Sequence, residues 1–262
     1  MKIQKVPLIN KFVERLDFDV KNYGAHIAAR TAIKKSGTKI IKQGMDDQKN
    51  DLMRTKPSII LANHPHAIEP LVLLAALPDR NDTYFIGNSE YAGISENLDR
   101  FFIPVYVQNR INAEKQVDLL RRTLRLLHPL PVMSPSEERS KNIENIEKAG
   151  QVVSNGGQVI IFPGRSKLSK PWYTGLGHLC KSIANNDAFI ISCFIQGTSS
   201  LDYLRVIPGM GKILPSIRVT FFQPQKVSNY LTLSPKEIAL KLQVQYKEMV
   251  SSLTNQNEEA AH

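Results

Sequence analysis

A histidine and a carboxylate stand five residues apart in the segment NHPHAIEP, which spans residues 63–70. A strand is predicted to end on His64 and a helix to begin after Glu69, so that both side chains flank one tight turn and can meet. A carboxylate that accepts a hydrogen bond from one imidazole nitrogen fixes the tautomer and stabilises the imidazolium formed when the other nitrogen takes a proton. The spacing therefore predicts a general base that acts on a substrate hydroxyl.

Other interpretations of the same segment stay open. Pro70 disfavours helical backbone at the preceding residue and thereby predicts Glu69 as the N-cap, although Glu is a poor N-cap. In a purely structural interpretation, His64 is a capping or core histidine and Glu69 is a solvated turn residue. In a third, His64, His66 and Glu69 are ligands of a metal ion, for which no fourth ligand is evident. We expect no metal at this site.

A second group of chemically capable residues follows the apolar run QVII in the segment QVIIFPGRSK, residues 158–167. Pro163 and Gly164 suit the two central positions of a type II turn, and this turn alone accounts for both. It does not account for Arg165, Ser166 and Lys167, because an arginine fork, a hydroxyl and an ammonium all donate to phosphate. The segment predicts a phosphate site, and Arg110 at the end of FFIPVYVQNR is a further basic candidate.

Strands and helices alternate around these two segments. Strands are predicted in TKIIKQG, SIILANH, TYFIGNS, FFIPVYVQ, QVIIFPG, FIISCFI and SIRVTFF. Helices are predicted from Pro70 to Pro78, over about 113–127, from a capping box at Ser134 to about 154, over 175–184, and from a second capping box at Ser234 to about 253. The tail NQNEEAAH is expected to fray. This order predicts the α/β class, with a mixed, largely parallel sheet flanked by helices and with chemistry in the loops at strand ends.

The N-terminal region carries most of the excess positive charge. The chain has 262 residues and a formal charge of +10, and residues 1–44 contain ten Lys or Arg against three acidic residues. Apolar side chains recur there at helical spacing, at Ile9, Phe12, Val13, Leu16 and Val20. An amphipathic basic helix of this kind either packs its apolar stripe on the domain or docks on an anionic membrane.

Composition excludes several other classes of protein. No apolar run approaches the roughly 18 to 20 residues that span a bilayer, and the first residues have no apolar signal core. Cys180 and Cys193 have no CxxC or CxxH neighbour, which argues against a disulfide framework and a cysteine-based zinc site and favours a reducing, intracellular setting. No helix-turn-helix, zinc-finger or aromatic RNA-binding signature accompanies the basic charge, so we expect no nucleic-acid partner.

The order of these blocks resembles the glycerolipid acyltransferases of the 1-acylglycerol-3-phosphate (lysophosphatidic acid) acyltransferase type. The strand-NH-x4-acid block at residues 58–69 is similar to that family's first motif, here in an HX4E form. FFIPVYVQNR, NGGQVIIFPG and IISCFIQGTS are similar to the second, third and fourth blocks in the same order. The resemblance spans roughly residues 38–223.

The resemblance implies transfer of a fatty acyl group from acyl-CoA or acyl-carrier protein to a hydroxyl of a lysophospholipid or glycerol phosphate. In that scheme His64 is the base and Glu69 its partner, and no other cofactor is needed. The residues expected to bind substrate are Arg165, Lys167, Gly164, Arg110 and Asn63. The protein is then expected to be peripheral, or monotopic, on the cytoplasmic face of an anionic membrane. Residues 1–35 would be the docking region and 36–255 the acyltransferase domain.

The sequence departs from the family pattern at two positions. Glu69 stands where the family usually has Asp, and the extra methylene moves the carboxylate by more than about 1 Å, enough to alter a rate. The family's FPEGTR reads FPGR here, so that Arg165 directly follows Gly164. A catalytically silent lipid-binding or membrane-binding protein on the same fold is the alternative function.

Overall fold

The computed structural model describes residues 7–66, 68–93, 95–107, 133–164, 170–185 and 187–259. The helices are α1 (Pro7–Tyr23), α2 (Ala25–Ser36), α3 (Asp47–Thr55), α4 (Glu69–Ala76), α5 (Glu96–Asp99), α6 (Pro135–Ser154), α7 (Gly175–Ser182) and α8 (Pro235–Glu259). The strands are β1 (Ile40–Gln43), β2 (Ser58–Ala62), β3 (Thr83–Asn88), β4 (Phe102–Val105), β5 (Gln158–Ile161), β6 (Phe189–Gln196), β7 (Ile217–Phe221) and β8 (Gln225–Lys226). The predicted helix over 113–127 lies outside the described residues.

The strands form one mixed sheet in the order β1-β7-β6-β2-β5-β3-β4, and β8 pairs with β6. Strand β2 lies between β5 and β6 and is parallel to both, and β3 is parallel to β5 and β4. Strands β7 and β8 run antiparallel to β6, whereas β1 is parallel to β7. The predicted α/β class and the mixed, largely parallel sheet are therefore confirmed.

Helices cover both faces of the sheet, which explains why the central strands read as continuous apolar runs. Every residue of β2 is buried. Ile59 and Leu61 pack with α6, α7 and α8 on one face, and Ile60 and Ala62 pack with α2 and α4 on the other. This alternation follows from the two-residue period of a strand.

Local sequence signals set the starts of α6 and α8. Ser134 and Ser234 each accept a hydrogen bond from the backbone N–H of the Glu three residues later, and each Glu side chain accepts from the serine N–H at 2.8 Å. Both predicted capping boxes are confirmed. Helix α8 continues to Glu259, beyond its predicted end near residue 253.

Helix α3 and the short helix α5 have no counterpart among the predicted helices. Helix α3 begins after Asp46, whose carboxylate accepts from the backbone N–H of Lys49 at 2.8 Å. An aspartate N-cap is a recognisable signal. The helix buries Met53, and its remaining residues are mostly polar, so it has little of the apolar periodicity that predicts a helix.

The apolar stripe of α1 is used for packing. Val20 is buried, and Phe12, Val13 and Leu16 are half-buried. The Asp17 carboxylate accepts from the Ser95 hydroxyl and from the backbone and side-chain N–H groups of Asn97, which ties α1 to the start of α5. These contacts support the packing interpretation for this stripe.

Candidate active site

The candidate site lies where the carboxyl ends of β2, β5 and β6 meet. Ala62 at the end of β2 pairs with Cys193, and the next residue, Asn63, extends this pairing with its side chain. Its Nδ2 donates to the Ile195 carbonyl, and its Oδ1 accepts from the Ile195 N–H, both at 2.8 Å. Asn63, expected to bind substrate, therefore makes contacts that fix the backbone immediately before His64.

The structure brings His64 and Glu69 together across the turn. His64 Nδ1 lies 3.0 Å from Glu69 Oε2, and the backbone N–H of His66 donates to Glu69 Oε1 at 3.1 Å. The predicted N-cap role of Glu69 is wrong, because α4 begins at Glu69 itself and Ile68 is its N-cap. The idea of a solvated turn carboxylate is also wrong, because the Glu69 side chain is 0% exposed. Because Glu69 is the first residue of the helix, its carboxylate can accept a hydrogen bond from a backbone N–H of the preceding turn.

Glu69 is held in its ionised form despite its burial. Burial raises the pKa of Glu69, but hydrogen bonds from His64 and Thr198 and the positive charge of protonated His64 outweigh it, and the pKa lies below its usual value. An ionised carboxylate only accepts hydrogen bonds, so Nδ1 of His64 must be the donor. In neutral His64 the unprotonated nitrogen is therefore Nε2, and it has no hydrogen-bond partner in the described part of the chain.

A cavity of about 340 Å³ opens beside this pair. The His64 side chain is 29% exposed and faces the Phe162 ring at a centroid distance of 4.8 Å. The described residues that line the cavity are Ala62, Asn63, His64, Pro65, His66, Gly164, Trp172, Phe194, Ile195, Gln196, Gly197 and Thr198. The arrangement allows a bound hydroxyl to approach a histidine whose tautomer is already set.

Gly164 forms part of the cavity wall next to Trp172. A Cβ at this position would lie 2.6 Å from Trp172 Nε1, so a larger residue would displace the indole. The φ of Gly164 is outside the left-handed region, and the predicted type II turn, which needs a positive φ there, is therefore wrong. The other predicted phosphate ligands, Arg165, Lys167 and Arg110, lie outside the described residues.

The carboxylate oxygens of Glu69 are both engaged within the turn. Both of its oxygens accept hydrogen bonds, one from His64 and one from the backbone of His66. Among the residues described, no three His, Cys, Asp or Glu side chains are grouped so that they could hold a metal ion.

Helix α8 contributes two residues that the sequence did not point to. Tyr246 is 0% exposed, and its hydroxyl donates to the Cys193 carbonyl at 2.8 Å and contacts Asn63 Oδ1 at 3.3 Å. Gln243, one turn earlier, accepts from the Trp172 N–H at 3.2 Å and donates to the Lys170 carbonyl at 2.7 Å. One helix thus supports both the residue before His64 and the chain that follows residues 165–169. No local signal marks these residues, because their partners are far away in sequence.

Replacing Tyr246 with Phe is expected to destabilise the fold by about 1–3 kcal/mol, because the buried Cys193 carbonyl loses its side-chain donor. The contacts of the ring with Trp172, Phe194 and Phe222 are kept. Urea unfolding measures the change. Tyr203→Phe is the matched control, because that side chain is 60% exposed. Equal stability of the two variants would mean that the Tyr246 hydroxyl is not a structural support of the site.

No protein-family model and no curated protein matches the chain. Among solved structures, the crystal structure of the 1-acyl-sn-glycerophosphate (LPA) acyltransferase PlsC from Thermotoga maritima matches with a TM-score of 0.51. The match covers 96% of this chain and 92% of that one. The chain has the PlsC fold. Because the sequence identity is 15%, the similarity to PlsC shows the fold and does not show the reaction. The resemblance to this acyltransferase type in the sequence blocks is confirmed at the level of the fold.

Proposed function

We propose that the protein is an acyltransferase that moves a fatty acyl group from an acyl thioester to a hydroxyl of a lysophospholipid or glycerol phosphate. The observation that carries the proposal is the buried, ionised Glu69 bonded to Nδ1 of His64, whose Nε2 has no described partner beside an open cavity. The PlsC fold and the order of the sequence blocks support the same reaction.

The reaction begins with proton transfer to His64. Nε2 takes the proton of the acceptor hydroxyl while the hydroxyl oxygen attacks the carbonyl carbon of the thioester. Glu69 stabilises the imidazolium that forms. The C–S bond of the resulting tetrahedral intermediate then breaks, and the thiolate takes the proton back from Nε2. The products are an ester and a free thiol. Positioned proton transfer of this kind contributes about 10²- to 10⁴-fold to a rate.

The acceptor phosphate is assigned to the basic residues that follow β5 and β4. Arg165 and Lys167 come directly after Gly164, which lines the cavity, and Arg110 follows β4 by a few residues. Their positive charges are complementary to a phosphate. The Glu and Thr that FPGR lacks relative to FPEGTR shorten this loop, and the shorter loop affects which acceptor is bound. The acyl donor is acyl-CoA or acyl-carrier protein, and no further cofactor takes part in the proposal.

The experiment that tests the function is detection of product by mass spectrometry. Pure protein is incubated with lysophosphatidic acid or glycerol 3-phosphate, and with acyl-CoA or acyl-carrier protein in parallel. An acylated acceptor formed with either donor supports the proposal. If no acceptor is acylated while anionic vesicles still bind the protein, the silent lipid-binding alternative replaces it.

Membrane docking is part of the proposal, since a lysophospholipid acceptor resides in a bilayer. Within the described residues, no helix is both long and apolar enough to cross a membrane. Phe18 on α1 is 60% exposed and shares a helix face with Lys11 and Arg15, which are also exposed. An exposed aromatic ring beside two cations suits the interface of an anionic membrane.

Phe18→Glu is expected to weaken binding to vesicles that contain phosphatidylglycerol by at least about tenfold, because it removes an apolar side chain from the interface and adds a repelled charge. Co-sedimentation with vesicles measures this effect. Leu240→Glu is the control, because Leu240 is 58% exposed but lies on α8, which packs on the opposite face of the sheet. Equal vesicle binding by the two variants would mean that α1 is not part of the docking surface.

A further inference from the structure

The β6–β7 segment, residues 197–216, exposes large apolar side chains. It forms two short 3₁₀ helices, Asp202–Val206 and Met210–Ile213. Leu201, Tyr203 and Ile213 are 49%, 60% and 72% exposed. Because a large apolar side chain gains free energy when it leaves water, three of them on one short segment indicate a surface that an apolar partner covers.

Buried polar contacts hold this segment in place. Arg205 Nε donates to Asp202 Oδ1 at 2.7 Å, and both side chains are buried. The guanidinium also donates to Thr38 Oγ1 at 3.0 Å and to the Pro215 carbonyl at 2.7 Å, which joins the segment to the chain that follows α2. A satisfied buried network of this kind makes the backbone rigid, so the apolar side chains are held on the surface before any partner binds.

Positive charge borders the exposed apolar side chains. Lys212 belongs to the segment, and Lys34 and Lys39 belong to the adjoining end of α2 and the turn after it; all three are exposed. Residues 20–45 contain no Asp or Glu, and the one acidic residue of the segment, Asp202, is buried. The surface therefore combines exposed apolar side chains with an excess of positive charge.

The segment begins at the wall of the cavity. Because β7 is antiparallel to β6, with Arg218 opposite Gln196, the segment starts and ends at the edge of the sheet that holds His64. Its first residues, Gly197 and Thr198, line the cavity. A partner that covers the apolar side chains of the segment therefore lies next to the candidate site.

We propose that the β6–β7 segment is a membrane-contacting surface that places Leu201, Tyr203 and Ile213 in the interface of an anionic bilayer. The inference rests on the proposed function, in which the acceptor is a lipid, and it adds a second surface to the one on α1. The lysines attract anionic head groups while the apolar side chains leave water. A second copy of the chain fits less well, because a two-fold interface would bring two positive patches together.

A fluorescent label at residue 213 tests insertion into the bilayer. Cys180 and Cys193 are buried, so an environment-sensitive thiol label on Ile213→Cys reacts at the new position. With vesicles that contain phosphatidylglycerol, its emission is expected to shift to shorter wavelength and to be quenched by lipids brominated in the acyl chain. Ile143→Cys is the matched control, because Ile143 is also exposed but lies on α6, on the other face of the sheet from α2. Equal quenching of the two labels would overturn the proposal.

Ile213→Glu is expected to weaken binding to the same vesicles at least about tenfold, because an apolar side chain is lost and a repelled charge is gained. Lys212→Gln is expected to weaken it about fivefold and to leave the weaker binding to phosphatidylcholine vesicles unchanged, because these carry no net charge. Co-sedimentation measures both effects, and thermal melting checks that each variant is folded. Binding by folded Ile213→Glu as tight as that of Ile143→Glu would contradict the assignment.

Vesicle binding separates this surface from the proposed function, because it needs no turnover. If no acceptor is acylated but the label at residue 213 enters the bilayer, the proposed function fails and the surface stands. If an acceptor is acylated but the label stays in water, the surface is wrong and the function stands. Light scattering tests the other occupant: a dimer that Ile213→Glu converts to a monomer, with vesicle binding unchanged, would make this face an interface between two copies and overturn the proposal.

Discussion

His64→Ala is expected to lower kcat by about 10³-fold, because acceptor deprotonation then has no positioned base. The loss corresponds to about 4 kcal/mol of transition-state stabilisation. The KM values for both substrates should change much less, because the proposal gives Nε2 a task in the transition state and none in holding the ground state. Product formation followed by mass spectrometry at saturating donor and acceptor measures the effect.

The control for this variant is His178→Ala. His178 lies on α7 with an exposed side chain, so its removal changes the histidine content without touching the cavity. Circular dichroism should show the same helix content in both variants, because the His64 side chain is already 29% exposed. Activity of His64→Ala within about threefold of wild type would rule out this residue as the general base, since such a base contributes at least about 10²-fold.

Glu69→Gln is expected to lower kcat by about 10²-fold, and Glu69→Asp is expected to retain more activity than Glu69→Gln. The amide has no charge to stabilise the imidazolium, and it can present an N–H to Nδ1 and favour the wrong tautomer. The aspartate keeps the charge, but its side chain is shorter by one methylene and its carboxylate lies farther from His64. The turn must therefore move to restore the 3.0 Å contact between the carboxylate and His64 Nδ1. Glu147→Gln on α6 is the control, because Glu147 is exposed.

Glu69→Gln is also expected to change how the stability of the fold depends on pH. The pKa of Glu69 in the folded protein lies below its usual value of 4.5, so its ionised form stabilises the fold above pH 4.5. That contribution is lost as the pH falls through the lower, folded-state pKa. Urea unfolding from pH 7 down to pH 3 should therefore show a smaller loss of stability for Glu69→Gln than for wild type. Parallel curves for the two proteins would mean that His64 does not hold the charged form of Glu69.

Much of the fold could be predicted because its signals are local. The apolar runs of β2, β5 and β6 identify central strands, and the Ser134 and Ser234 capping boxes place the starts of α6 and α8 within one residue. The pairing of His64 with Glu69 is equally local, since five residues across one turn leave few alternative arrangements. The errors are local as well. The role of Glu69 at the helix start was misjudged because burial and the bond from His66 override N-cap preference.

The sequence by itself determined the α/β class, the order of the blocks and the identity of the histidine–carboxylate pair. Only the tertiary structure decided how these residues are supported and what lies around them. Tyr246 reaches Asn63 across 183 positions, and Arg218 comes opposite Gln196 because β7 pairs antiparallel with β6. Such contacts depend on strand register and helix packing, which arise from the burial of the whole core and leave no trace in the spacing of neighbouring residues.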